Sequence, residues 1–270
     1  MASGKEITGK IQSIGNTMKV TSALEMVSAS KIRKSQDLMK ASRPYIRMMR
    51  RISGHLSKAN PEIRHPFTRE YETVEKVGYI IVSTDRGLCG GLNNNLFRMV
   101  LKDMVEWQGK GVGVKMVTFG KKALSFFKNV NVEIMGHISG LGEKPQIDDL
   151  IGAVRIMVEA YRDNHIQRLY IVTNVFINTM SQQPSIFQML PLPPTDDEEI
   201  RDVWDYIYEP DAKTLLDAVA VRYVEGMIYQ AVLENLASEH AARMLAMKNA
   251  TDNAGDLIDE LKLVYNKARQ

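Results

Sequence analysis

Near the amino terminus, apolar residues return at Ile7, Ile11, Ile14 and Met18, with Thr21 in the same register. The steps alternate between four and three residues, which is the seam of a heptad-repeat helix. Leu24, Ile32, Met39, Ile46, Met49, Ile52 and Leu56 keep a helical face beyond it. Thr21–Ser30 is rich in small residues, so a neighbouring helix can approach closely there. Pro44 is expected to kink or locally break the helix, because it lacks an N–H and its ring crowds the preceding turn. A helix of roughly 50 residues would be about 75 Å long, more than a compact domain needs. At the other end, Met247, Ala250, Ala254, Leu257, Leu261, Val264 and Ala268 repeat the same three-and-four spacing, and no proline interrupts Ala212 to Gln270. Two such seams, separated by a whole domain, predict an antiparallel coiled coil. In it, Ile7, Ile11, Ile14 and Met18 face Leu257, Leu261 and Val264 of the returning helix.

Between about 74 and 195 the period changes. Short apolar runs at Val77–Ser83, Val114–Phe119, Val130–Met135, Arg168–Phe176 and Ser185–Leu190 read as strands. Asn94–Gln108, Lys121–Lys128 and Gln146–Asn164 read as helices. This alternation predicts an α/β fold with a mostly parallel sheet. An acidic linker, Pro191–Glu199, leads to a final expected strand at Val203–Pro210. The predicted division is 1–58 and 212–270 for the two coiled-coil helices, with 59–211 for the central α/β domain.

Charge is unevenly distributed. Lys31–Arg51 holds eight basic residues and one acid, whereas Asp196–Asp211 holds eight acids and one arginine. The basic stretch suits an anionic partner surface. Nucleic acid is a poorer fit, since Tyr45 is the only aromatic in the stretch available for base stacking and the whole-chain pI is only 8.8. Of 270 residues, 44% are hydrophobic and 25% charged, which excludes disordered and collagen-like classes. No apolar run approaches the roughly 18 residues of a membrane span, and the start MASGKEITGK lacks a signal-peptide core. Cys89 is the only cysteine, so an internal disulfide is excluded and a reducing, intracellular setting is expected.

Candidate chemistry is sparse. The segment TDRGLCGGLNNN (Thr84–Asn95) places glycines between a strand and a helix, where phosphates bind in many α/β folds. Its spacing matches neither GxGxxG nor the P-loop, and no phosphate-binding lysine follows. A tight turn requiring glycine backbone angles is the favoured reading. The alternative is an α/β enzyme that binds a nucleotide on the Gly87–Gly91 turn. The five histidines are scattered, Asp148 and Asp149 suit a helix first turn, and Cys89 reads as an inert small side chain. No catalytic, cofactor or metal residue is therefore assigned.

Five segments carry a family resemblance: KVTSALEMVSASKIRK (Lys19–Lys34), VSTDRGLCGGLN (Val82–Asn93), YIYEPD (Tyr206–Asp211), LASEHAARMLAMKNATDNAGDLI (Leu236–Ile258) and LVYNKARQ (Leu263–Gln270). Together they resemble the gamma subunit of F-type, bacterial ATP synthases along the whole chain. The resemblance implies a rotating central shaft, not itself catalytic, that carries torque between a proton-driven membrane c-ring and the α3β3 catalytic hexamer. It implies a Rossmann-like central domain near the foot, contacts with the epsilon subunit and the c-ring, no cofactor, and no nucleic acid. It also implies a peripheral position on the cytoplasmic face of the bacterial inner membrane.

The same resemblance implies that residues matching Leu24, Glu239, Arg243, Arg269 and Gln270 act against the β subunits. Lys31, Arg33 and Lys34 would attract acidic β lever loops, and Tyr206 and Glu209 would meet the c-ring at the foot. Departures from the family pattern are Leu24 where methionine is common, the absence of a paired-cysteine insertion, and a chain that stops at Gln270.

Overall fold

The computed structural model describes residues 4–59, 66–69, 71–192 and 212–270. Two helices dominate it: α1 (Gly4–Ala59) and α5 (Ala212–Arg269). Between them lie β1 (Lys76–Val82), α2 (Leu92–Gly109), β2 (Gly113–Phe119), α3 (Lys121–Phe127), β3 (Glu133–Ile138), α4 (Asp148–Arg162), β4 (Arg168–Phe176) and β5 (Gln182–Leu190). Tyr206, Glu209 and the strand expected at Val203–Pro210 lie outside the described residues.

Fifty-six residues of α1 make a rod about 84 Å long. It runs unbroken through Pro44, against expectation. The cost is limited because Pro44 and Lys40 are both exposed, so the carbonyl that loses its helical partner faces water. The face turned to α5 carries Ile7, Thr21, Ser28, Ile32, Ser35, Met39 and Ile46, all buried. The small polar members satisfy themselves within the helix: Ser28 Oγ donates to the Leu24 carbonyl and Ser35 Oγ to that of Lys31. Small residues here let the helices approach closely without leaving buried hydroxyls unpaired.

Cross-helix contacts fix the register. Thr21 Oγ1 lies 2.7 Å from Thr251 Oγ1, Met39 packs on Leu233 and Ala237, Ser42 bonds Gln230, and Gly226 faces Ile46. Each step up α1 matches a step down α5, so the pair is antiparallel. Carried to the free ends, this register sets Ile7, Ile11, Ile14 and Met18 level with Tyr265, Leu261, Ile258 and Ala254. The expected seam on α5 is therefore corrected. Leu261 is half-buried as expected, but Leu257 and Val264 are 48% and 45% exposed and point away from α1. The seam follows Met247, Thr251, Ala254, Ile258, Leu261 and Tyr265, which has the same spacing turned by one residue at alternate positions.

Among the described residues, the body is a five-stranded sheet in the order β3-β2-β1-β4-β5. The β1–β2, β2–β3 and β1–β4 pairs are parallel, and β4–β5 is antiparallel. β1 is central, and Val77–Val82 is buried on both faces, as expected of a parallel strand covered by helices. Val77, Tyr79 and Ile81 face α2 and α3, while Ile80 and Val82 face α4 and the middle of α5. β3 begins three residues later than the sequence suggested, because Val130 N and Val132 N are used in local turn bonds to Phe127 and Val130 carbonyls. β5 starts earlier than expected, after a turn in which Asn178 Oδ1 accepts from Met180 N and Ser181 N.

Candidate functional site

The rod and the body are joined where the middle of α5 crosses β4. Ala220, Val224, Ile228, Ala231 and Val232 belong to the same apolar core as Leu169, Ile171, Met157 and Leu190. A line of polar bonds fixes the crossing. Thr173 Oγ1 donates to the Ala231 carbonyl at 2.8 Å, Asn174 Nδ2 to Asn235 Oδ1 at 2.9 Å, and Ser238 Oγ to the Asn174 carbonyl at 3.0 Å. Glu234, only 8% exposed, accepts from Arg43 on α1 and from Phe176 N at the end of β4. α5 is thus buried on one side by α1 and on the other by the sheet.

The glycine-bearing loop after β1 is closed against this joint. Asn93, in the first turn of α2, accepts from Thr84 N and donates to Thr84 Oγ1 and Cys89 Sγ. Leu88 and Gly90 have φ of 63° and 57°, left-handed values that Gly90 adopts freely. Cys89 and Leu92 pack on Ala242 of α5. Burial pushes the Cys89 thiol up, which makes it a poor nucleophile. Arg243 donates through Nε and Nη2 to the Gly87 carbonyl, both at 3.2 Å, and pairs with Glu239 at 2.6 Å. Burial raises the Glu239 pKa, against which Arg243 acts. In this position the loop anchors the rod.

Beside the loop, a cleft of about 340 Å³ runs between rod and body. Its charged walls balance: Lys31, Arg86 and Arg243 against Asp85, Glu143 and Glu239. Asp85 accepts from Lys121 N and Gly140 N, fastening the start of α3 to the loop before α4. Lys31 pairs with Glu143 at 2.5 Å and holds that carboxyl below its ordinary range. The mixture does not favour a phosphate, and no group of three or more His, Cys, Asp or Glu among the described residues could hold a metal.

His240 lines this cleft at 5% exposure, and neither ring nitrogen finds a partner among the described residues. Burial, reinforced by Arg243 and Lys31 and opposed by Glu143, lowers its pKa from 6.5 to about 4. The unfolded histidine takes up a proton near pH 6.5, which the folded one refuses until about pH 4. Its contribution to stability is therefore full above pH 6.5 and lost as pH falls through that window, reaching about 3 kcal/mol by linkage. Urea unfolding of the wild type and His240→Gln at several pH values should show a shallower acid loss in the variant. Parallel curves would contradict this.

The other residues singled out from sequence separate into two groups. Arg33, Lys34, Arg269 and Gln270 are exposed, and Leu24 is half-buried on α1. Lys31, Glu239 and Arg243 are instead engaged within the chain, so their first partners are intramolecular. Sequence reasoning missed Val20, Met26 and Val27, which are exposed apolar residues on the outer face of α1. Their place outside the three-and-four register of the seam was the available signal. Glu234, His240 and the double acceptor role of Asp85 gave no comparable signal.

The structure is thus a rod of two long helices pinned to an α/β body through the loop that follows β1. The family model described as "ATP synthase" matches residues 3–270. An ATP synthase gamma chain of Stenotrophomonas maltophilia (strain R551-3) is 55% identical over 270 residues, covering 100% of this chain and 94% of that one. The fold is shared with a chain of the Tetrahymena thermophila mitochondrial ATP synthase central stalk and c-ring structure (TM-score 0.64, 19% identity, covering 86% of this chain and 99% of that one). It is also shared with one from the Euglena gracilis mitochondrial ATP synthase rotor in rotational state 1 (TM-score 0.63, 20% identity, 98% and 97%). The chain belongs to the ATP synthase gamma-chain family. It is a non-catalytic rotor-shaft subunit that couples ion transport to ATP synthesis or hydrolysis, peripheral to the membrane. Among the described residues, no helix is long and apolar enough to cross a membrane.

Proposed function

We propose that the free end of the rod, where Ile7 lies level with Tyr265 and Ile11 with Leu261, enters the α3β3 hexamer and that the α/β body forms the foot toward the c-ring and the epsilon subunit. The supporting observation is the outward face of α1, where Arg33 and Lys34 stand exposed beside the exposed apolar residues Val20, Met26 and Val27. That face is turned away from the seam and suits an acidic and apolar partner wall. Leu24, Arg269 and Gln270 extend the same contact surface. Glu239 and Arg243 contribute by holding the Gly87–Gly91 loop, and Lys31 by holding Glu143, rather than by a free reach to β. Tyr206 and Glu209 are assigned to the ring contact at the foot. The division into 1–58, 59–211 and 212–270 follows the same reading, as does a place on the cytoplasmic face of a bacterial inner membrane.

Charge attraction of this kind is screened over about 8 Å at physiological salt. It should therefore speed assembly more than it fixes any one angle. Arg33→Glu with Lys34→Glu should slow reconstitution with the hexamer about tenfold at low salt, and the deficit should shrink as salt rises. Reconstitution at the wild-type rate at low salt would remove the basis for this surface.

A further inference from the structure

Torque that enters a body and leaves through a rod must cross the joint between them. Apolar contacts resist separation but are non-directional, so by themselves they resist sliding poorly. Directional bonds from one group to several elements resist shear. Among the described residues, Glu234 has that position. Glu234 Oε1 accepts from Arg43 Nη2 of α1 at 3.0 Å and from Gln230 Nε2 of α5 at 2.9 Å, while Oε2 accepts from Phe176 N of β4 at 3.0 Å. Gln230 in turn accepts from Ser42 Oγ on α1. Three elements that would otherwise slide past one another thus meet on one side chain, and that side chain is buried.

We propose that Glu234 is the positioning residue that makes body and rod turn as one piece, carrying load from the end of β4 into both helices. Neighbouring bonds of Thr173, Asn174 and Ser238 fasten only α5 to β4, whereas Glu234 also brings in α1. Glu234→Gln preserves size and shape but leaves one acceptor oxygen for three donors, so at least one leg of the joint must open. The proposal rests on the reading that the body meets the ring.

The test uses the whole complex in sealed vesicles, reading ATP hydrolysis and ion pumping against an imposed gradient. Glu234→Gln should assemble with the normal subunit complement and hydrolyse ATP at the wild-type rate. The ions it pumps per ATP under load should fall about tenfold or more, the factor that matches loss of one hydrogen bond to a charged group. Arg43→Met removes only the α1 leg at a half-exposed side chain, and should lower the same ratio about twofold. Val100→Ala, a destabilising change in the core on the far face of the sheet, should leave the ratio unchanged.

A wild-type ratio in Glu234→Gln, or an equal loss in Val100→Ala, would overturn the proposal. If Glu234→Gln does not assemble, Arg43→Met decides, and a wild-type ratio there overturns it. Cross-linking of the c-ring to the body in the wild-type complex separates the two ideas. Its failure would reject the foot placement, whereas a cross-linked body with unchanged coupling in Glu234→Gln would reject the role of Glu234 alone.

Discussion

Ala237→Glu is expected to prevent α5 from docking between α1 and the body. Ala237 has no exposed surface and sits against Met39 and Leu233. The helix register puts it level with Ser35, another small buried residue. A glutamate there adds a carboxylate with no cation to meet it, and forces apart helices that approach closely because both present small side chains. Burying an unpaired charge and overpacking at once should cost more than about 4 kcal/mol, a large part of a domain's total stability. Ala237→Ser should cost under about 1.5 kcal/mol, since a serine hydroxyl can turn back to the carbonyl four residues earlier, as Ser28 and Ser35 do. Urea unfolding followed by circular dichroism measures both. A midpoint for Ala237→Glu equal to that of the wild type would contradict the packing described here.

Gly120→Ala should be nearly as severe for a different reason. Gly120 follows β2 with φ of 90°, and a Cβ placed there would lie 2.4 Å from the Ser83 carbonyl oxygen and 2.8 Å from its carbon. Both atoms are backbone, and they cannot withdraw. Ser83 is bonded to the Phe119 carbonyl through its N–H at 2.8 Å and its hydroxyl at 2.9 Å, while Gly120 N bonds the Ile138 carbonyl at 2.8 Å. Clash and backbone strain together should cost about 3 kcal/mol or more. Gly111→Ala is the control. Its φ is 75°, but nothing lies within 4 Å of the added Cβ, so only the left-handed penalty of about 1–2 kcal/mol applies. Equal losses at the two glycines would show that the close approach of β1 and β2 is not what excludes a side chain.

The rod was legible because heptad spacing survives in a helix that buries one stripe, as the free end of α1 does. The register on α5 was not. Two interleaved series, one through Leu257 and Val264 and one through Thr251, Ile258 and Tyr265, have the same spacing, and the more hydrophobic one is the exposed one. Thr251 looks polar in sequence, and only its contact with Thr21 identifies it as seam. The middle of α5 hid its function for a related reason. Buried by α1 and by the sheet on opposite sides, it carries Glu234, Asn235 and His240 at inward positions, where no one-sided pattern marks them.

Strand identities were readable from short apolar runs. The order β3-β2-β1-β4-β5 was not, because pairing of β1 with β4 joins segments about 90 residues apart. Continuity through Pro44 depended on solvent reaching the carbonyl of Lys40, which sequence alone does not show. Lys31 stands out by charge and Glu239 and Arg243 by the family resemblance, and neither signal says whether the partner lies in the same chain.

This chain works by turning as one shaft inside a catalytic assembly. Its sole cysteine, Cys89, is 3% exposed with its thiol pushed up, so an introduced surface cysteine would react selectively. Arg33→Cys, paired with a cysteine in the acidic lever loop of the catalytic β chains, gives the most direct measurement: ATP hydrolysis by the assembled complex before oxidation, after disulfide formation, and after reduction. Hydrolysis should stop when the rod is tied to one β chain and return when the bond is reduced. Continued hydrolysis at the full rate with the disulfide intact would contradict it.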